Sequence, residues 1–534
     1  MSRARLLRPV LLAMAVTVAA TGALPGAATT FDLTTASIDE IDAAFRAGAL
    51  TSEKLTQLFL ARIDAYDKKG PKLNAVLRLN PRALDEARAL DAERKKSGPR
   101  GPLHGIPVLL KDNIDAVGLP TTAGFYGLRD SMPSQDAEQT RRLRAAGCVI
   151  LGKTNMSEFA NGPAISTLGG QILNPHVLER TPAGSSGGNG AGIAAGFAVV
   201  ALGTDTGGSI RGPSAVNGIV GLKPTFGLTG RGGIIPLALS LDTVGPMARH
   251  VSDLAAVLNV MVGPDPRDHD VVPRERVDYT AALRPDALKG ARLGLLRDYM
   301  KQDPTTDAVI ETAVAVLRNQ GAEVIDVTLP RFILGLNMGL YETIRDTEFR
   351  YEIEEYLGSL SQANLPKTHA DIINLSEKIK AETPEGWVPN KARLDQYRRE
   401  AKIGTLQDQP YVSALTDGRK MVRESLEWFL AKEHLDAFIG PTARPPRPIK
   451  DEATQLPPTL GGGWARLGNL TGWPDLIVPA GFTSDPVLPV ALSFLGPAFS
   501  EAKLLAYGHA FEQALAVRRL PVTTPPLSGE RFEY

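Results

Sequence analysis

Between about residues 104 and 225 the chain concentrates residues able to do chemistry. In order they are His104-Gly-Ile-Pro-Val-Leu-Leu-Lys111-Asp-Asn, Gly152-Lys-Thr-Asn155, Ala183-Gly-Ser185-Ser186-Gly187-Gly188, Gly203-Thr-Asp205-Thr-Gly-Gly-Ser209-Ile-Arg211 and Gly221-Leu-Lys-Pro-Thr225. Lys111 ends an apolar run. An ammonium there is partly desolvated, and desolvation lowers a lysine pKa because it disfavours the charged form. Such a lysine can take a proton from a hydroxyl, and Ser–Lys pairs are a known form of activated serine. Ser209 follows Gly207-Gly208, just after the apolar run Phe197–Leu202. Two glycines let the backbone turn tightly and aim successive N–H groups at one spot. A nucleophile then stands beside an oxyanion cradle, in which a single donor is typically worth about 2.7–4 kcal/mol of barrier.

Each feature also has a plainer reading. A lysine at a strand end is commonly a salt-bridge partner or a side chain snorkelling to solvent. A Gly-Gly-Ser turn is usually only a turn, and the Gly-rich run 184–196 would serve as a linker or a loosely packed helix. Gly190-Ala-Gly192 lacks the spacing of a dinucleotide loop, and no Lys-Ser/Thr ending marks a phosphate loop. Gly184-Ser185-Ser186-Gly187-Gly188 does match G-x-S-x-G, the nucleophile elbow, with Ser186 as nucleophile. An elbow needs a strand immediately before it, whereas Val177-Leu-Glu-Arg-Thr-Pro-Ala183 carries charge and proline. It also needs a late histidine, and His434 and His509 both lie in helical patterns that read as surface or packing positions. Cys148, the only cysteine, opens the run Cys148-Val-Ile-Leu and reads as a small core residue, not a reactive thiol.

Short apolar runs must position these residues: Pro107–Leu110, Cys148–Leu151, Phe197–Leu202, Ile219–Leu222, Leu293–Leu296, Val324–Leu329, Ala437–Ile439, Leu476–Val478 and Val490–Leu495. Bounded by Gly, Pro or Asp, they suit buried strands covered on both faces. Helical patterns intervene, such as Asp136–Ala146 before Gly147 and Ser252–Val262 before Gly263. Ser37-Ile-Asp-Glu40 fits a capping box, and Thr51-Ser52-Glu53 starts a second helix. The pattern is that of an α/β protein with a large mixed or parallel sheet. From about 300 to 435 the chain is helix-rich and more charged, which reads as an excursion beside the core, shaping the substrate entrance or serving only as a surface subdomain. No repeat or low-complexity linker divides the rest, so one domain is expected over 29–534.

Taken together, the motifs resemble the amidase-signature family. The resemblance spans the lysine strand, Gly-Lys-Thr-Asn, the Gly/Ser-rich loop, the Gly-Thr-Asp-x-Gly-Gly-Ser-Ile-Arg turn and Gly-Leu-Lys-Pro-Thr. It extends to Asn469-Leu-Thr-Gly472-Trp-Pro474 and Val478-Pro479-Ala-Gly481, and is strongest in a signature core of about 80–265. Gly101-Pro-Leu-His-Gly, Gly233-Ile-Ile-Pro236 and Asp242-Thr-Val-Gly-Pro246 look closest to bacterial peptide amidases. The resemblance implies the amidase-signature fold, a large mixed β-sheet core covered by helices on both faces. It implies Ser209 as nucleophile, Ser185 as a bridging serine held by a cis peptide bond, and Lys111 as general base. It further implies an oxyanion hole from backbone N–H groups of Thr206, Gly207, Gly208 and Ser209, with Asp205 and Arg211 supporting the loop. No cofactor and no metal is implied. One position departs: the family usually has Gly-Gly-Ser-Ser-Gly-Gly, and here Ala183 takes the first place, adding a methyl group and restricting φ.

Composition narrows the partners. The 534 residues are 43% hydrophobic and 22% charged, with Lys+Arg and Asp+Glu both 59 and a formal net charge of zero. A nucleic-acid partner would need a basic excess or stripe, so a small-molecule or peptide amide is the expected substrate. Arg3, Arg5 and Arg8, the apolar run Val10–Ala20 and the small residues Gly22–Ala23 and Gly26–Ala28 read as an export signal over 1–28. The apolar stretch falls short of the about 20 residues of a membrane span, so the mature chain is expected to be secreted or periplasmic and free of the membrane. The expected reaction is hydrolysis of a primary, aryl or peptide C-terminal amide. An ester or carbamate hydrolase would use the same machinery. An amidotransferase-type amidase subunit fits the family but not the export signal, and an inactive binding protein would not need the triad. Neither chain-length preference nor oligomeric state is legible.

Overall fold

The computed structural model describes residues 29–301, 303–382, 388–452 and 461–534; the export segment expected at 1–28 lies outside them. The strands in chain order are β1 (Thr30–Asp32), β2 (Val76–Leu79), β3 (Pro107–Lys111), β4 (Val149–Thr154), β5 (Ile165–Ser166), β6 (Gly170–Gln171), β7 (Val200–Asp205) and β8 (Val220–Lys223). The second half adds β9 (Thr243–Ala248), β10 (Arg292–Leu296), β11 (Glu323–Val327), β12 (Ala437–Pro441), β13 (Asp475–Phe482), β14 (Pro489–Leu495) and β15 (Arg531–Glu533). All the apolar runs named above as strands form one. An eleven-stranded sheet takes the order β11-β10-β12-β14-β13-β8-β9-β7-β3-β4-β2. It is mixed: β3 runs parallel to both β4 and β7, while β7, β8 and β13 meet antiparallel neighbours.

Successive residues of a strand face opposite sides of a sheet. Every residue of β3, β4, β7 and β9 is buried, so helices cover both faces, as the near-continuous apolar runs require. The helices Gly187–Ala194 and Val251–Met261 pack on this region, and Glu501–Leu515 packs on β13. Ser37 makes the capping box with Glu40 around the helix Ile38–Arg46, and Thr51 caps Ser52–Ile63.

Residues 300–435 contribute the edge strand β11 and the helices Pro304–Asn319, Arg331–Ser359, His369–Glu382, Lys391–Glu400 and Arg419–Lys432. The long helix Arg331–Ser359 touches the core where it matters. Glu352 accepts from the Leu239 N–H (2.7 Å) and Glu348 from the Ser240 N–H (3.1 Å). Among the described residues no helix is long and apolar enough to cross a membrane.

Candidate active site

Lys111 is the last residue of β3, and its side chain is fully buried. Its Nζ lies 2.7 Å from Ser185 Oγ, 2.7 Å from Thr204 Oγ1 and 3.3 Å from the Thr204 carbonyl oxygen. Asn113 Nδ2 donates to the same Thr204 hydroxyl (3.1 Å) and to the Ile235 carbonyl (3.2 Å), fixing it in place. Among the described residues no carboxylate comes within ion-pair distance of Lys111. Burial therefore pulls the amine down to about 7, against the opposing charges of Asp205 and Asp242. A neutral amine has two N–H groups and a lone pair. Directing the N–H groups to Thr204 leaves the lone pair for the hydroxyl hydrogen of Ser185.

Ser185 is 2% exposed and follows a cis peptide bond from Gly184. Its carbonyl accepts from the Ser157 N–H (3.0 Å). Ala183, the departure from the family pattern, adopts φ +57°. The loop therefore keeps a left-handed backbone at a position where a residue other than glycine is strained by roughly 1–2 kcal/mol. Immediately afterwards the Gly-rich run forms the helix Gly187–Ala194, which explains its composition. A Cβ on Gly188 would sit 2.3 Å from the Asn155 carbonyl and 2.4 Å from that of Ala75.

Ser186 is no elbow nucleophile. It is fully buried, its Oγ points back at the Thr204 carbonyl (3.3 Å), and irregular chain, not a strand, precedes it. Neither His434 nor His509 hydrogen-bonds to it among the described residues. The Ser186 N–H donates to the Ser209 carbonyl (3.1 Å), which joins the Ser185 loop to the Ser209 loop. Cys148 is buried beside β4, its thiol pushed up to about 12 by desolvation, and is inert.

The Ser209 loop starts where β7 ends at Asp205. One Asp205 oxygen accepts from Gly208 N–H (2.9 Å) and the other from Ile210 N–H (2.9 Å). Burial works against the Asp205 charge, but the Arg211 guanidinium, 2.8 Å away, holds the carboxyl well below the usual range. Arg211 in turn meets Asp475 at 3.0 Å and the Asn469 side chain. The expectation that Gly208 N–H joins the oxyanion hole needs correction, because that amide is committed to Asp205. The N–H groups of Thr206, Gly207 and Ser209 have no partner among the described residues and remain as donors. Gly207 is required for a different reason: a Cβ there would meet the Tyr341 hydroxyl at 2.3 Å. Thr206 is buried, whereas Gly207, Gly208 and Ser209 are partly exposed. The loop is thus open to solvent at its Ser209 end.

The structure brings Lys111, Ser185 and the 206–209 loop to one end of β3 and β7. Thr204, Asn113, Asp242 and Tyr341 were not anticipated as parts of the site. Asn113 and Thr204 sit inside segments already marked for chemistry, so their spacing carried a signal. Tyr341 arrives from a helix far along the chain and had none.

Comparison with known proteins gives a consistent result. The amidase family model matches residues 54–505. The crystal structure of native peptide amidase from Stenotrophomonas maltophilia superposes with a TM-score of 0.83 at 39% identity, covering 92% of this chain and 99% of that one. A glutamyl-tRNA(Gln) amidotransferase subunit of Chloroflexus aurantiacus is 38% identical, covering 89% of this chain and 96% of its own. A probable amidase of Arabidopsis thaliana is 35% identical, covering 92% of each.

Proposed function

Because this chain belongs to the amidase family, we propose that it cleaves its amide through an acyl-enzyme on Ser209, with Ser185 as proton relay and Lys111 as base. The observation that carries this reading is a fully buried lysine 2.7 Å from a serine hydroxyl, with no carboxylate within ion-pair distance among the described residues. At pH 7 an unperturbed lysine would need about 4–5 kcal/mol to become neutral; burial at Lys111 removes most of that requirement.

In the first half-reaction Ser209 Oγ attacks the amide carbonyl carbon. Its proton passes to Ser185 as the Ser185 proton passes to Lys111 Nζ. Negative charge collects on the carbonyl oxygen, facing the free amides of the loop. The Lys111 ammonium then returns a proton through Ser185 to the amide nitrogen, the C–N bond breaks and the amine leaves. Protonating that nitrogen is the difficult part of amide cleavage, and the relay addresses it. Water repeats the sequence on the acyl-enzyme and releases the acid.

The substrate class we propose is a peptide C-terminal amide or a similar small primary or aryl amide, supported by the overlay on peptide amidase. The amidotransferase relative supports a second reading, in which glutamine is the amide donor and ammonia passes to a partner. We also propose export, on the charge and apolar pattern of residues 1–28 alone.

Labelling with a fluorophosphonate followed by peptide mapping tests the nucleophile. The label is expected on Ser209 and absent from Ser209→Ala; a label on Ser186 would overturn the assignment. Steady-state rates on peptide amides, anilides, esters and glutamine then separate the substrate readings. Faster turnover of glutamine than of any peptide amide would favour the second.

A further inference from the structure

Beside the loop that carries Ser209 stands a carboxylate that the mechanism above does not use. Asp242 immediately precedes β9 and is 5% exposed. The β7–β9 ladder ends at Asp205 opposite Thr243, so Thr206 and Asp242 face each other just beyond the last rung. There the Thr206 hydroxyl donates to Asp242 Oδ1. The other oxygen, Oδ2, accepts from the N–H groups of Leu237 (2.9 Å) and Ala238 (3.2 Å). The start of the anion-binding loop is thereby tied to a turn, and Glu348 and Glu352 tie that turn to the helix Arg331–Ser359.

The two acidic groups at this loop differ in their charge partners. Asp205 is paired with Arg211. Asp242 has no ion-pair partner among the described residues. The charged groups that act on it or on which it acts are Lys111 from β3, Arg231 from the loop after β8, and Glu352 from the long helix. The Arg231 guanidinium is already bound by Asp268 (2.5 Å) and Asp270 (2.6 Å). Burial raises the Asp242 carboxyl above its usual range, and the Thr206 hydroxyl, the Arg231 charge and the Leu237 and Ala238 amides offset that only in part. The Asp242 charge is one of the two that raise the affinity of Lys111 for a proton.

We infer that Asp242 is a positioning residue, which holds Thr206 at the start of the anion-binding loop and places a carboxylate near Lys111. The inference rests on Lys111 being the general base. Two variants separate the functions. Asp242→Asn keeps an acceptor for Leu237 and Ala238 and a partner for Thr206 but removes the charge. Thr206→Val removes the bond and leaves the Asp242 carboxyl in place, still held by the Leu237 and Ala238 amides.

The measurement is kcat/KM on an anilide against pH, with thermal melting of each variant as a folding control. In the wild type the acid limb is expected near pH 7, where Lys111 becomes neutral. Removing a negative charge favours the neutral amine, so Asp242→Asn is expected to move that limb to lower pH, by on the order of half a pH unit. Thr206→Val is expected to lose about tenfold in kcat/KM, less than deletion of a direct oxyanion donor, with the limb unmoved. A folded Asp242→Asn enzyme with an unmoved limb, or Thr206→Val with wild-type kcat/KM, overturns the inference. Lys111→Ala keeps the two failures apart. Loss of its amide turnover beside an unmoved limb in Asp242→Asn overturns only the role of Asp242; retention of amide turnover with the wild-type limb overturns both.

Discussion

Lys111 is the last residue of β3 and Lys153 the last but one of the parallel neighbour β4, and both are fully buried. Register places Lys153 opposite Leu110 and Lys111 opposite Thr154, one step apart. Burial pushes both amines down. Their partners differ. Lys153 lies 3.3 Å from Asp112 Oδ1 and also donates to Thr121 Oγ1 (3.0 Å) and the Pro120 carbonyl (3.2 Å). Asp112 accepts from Thr122 and Gly124 N–H, so this pair holds the loop that follows Lys111. Among the described residues Lys111 has only hydroxyls and a carbonyl. A nearby carboxylate favours the charged form of a buried lysine, whereas hydroxyl and carbonyl partners add no such charge. The same residue type at the same depth has a carboxylate beside it in one strand and a serine and a threonine hydroxyl in the next.

Matched substitutions test that contrast. Lys111→Met is expected to have the largest effect, lowering kcat/KM on an amide by about 10⁴-fold, the upper end of the range for a general acid–base group. It is expected not to lower Tm, because it removes a buried amine that lacks a counter-charge. Its stability signature has a definite sign. The folded pKa of about 7 lies below the unfolded 10.5, so this group's contribution is full above pH 10.5 and is lost as pH falls toward 7. Chemical denaturation should therefore show wild type gaining on Lys111→Met as pH rises from 7 to 10. A gap independent of pH would mean that Lys111 stays charged.

Lys153→Met should cost stability instead of activity, with a fall of about 3–5 kcal/mol from leaving Asp112 buried without its partner. Its active-site label is expected to remain on Ser209 wherever the protein is folded. A melting temperature equal to wild type would break the comparison. The smallest effect is expected at Lys223, the last residue of β8. It too is buried and pulled down to about 7 by desolvation, but its Nζ donates to the Pro224 carbonyl (2.8 Å) and not to a serine. Lys223→Met should leave kcat/KM within about tenfold of wild type, since a low pKa without a hydroxyl to deprotonate is not catalysis. A larger loss would show that depth alone, not the partner, selects the base.

The strands beside the site were legible because burial on both faces demands continuous apolar runs. One central strand escaped. Thr243-Val-Gly-Pro-Met-Ala contains Gly245 and Pro246, residues that argue against a central strand. Yet it forms β9 between β7 and β8. The reason lies in the pairing: β8 meets only Met247 and Ala248, so Pro246 sits beyond the part of β9 with neighbours on both sides. Missing that strand also hid Asp242, whose meaning depends on lying next to Thr206.

The sequence by itself determined the α/β class and singled out Lys111 and Ser209 by type and spacing, with Ser185 added by the family resemblance. Those features are local: apolar runs, turn residues and short motifs express themselves within a few positions. Only the tertiary structure decided which buried lysine has a carboxylate and which does not. It also decided that Ser186 faces the sheet, that Gly208 N–H belongs to Asp205, and that Tyr341 closes over Gly207. Those outcomes depend on contacts between groups tens to hundreds of residues apart. The energy of a buried charge or an unpaired amide is set by whichever groups the fold brings within about 3–4 Å of it.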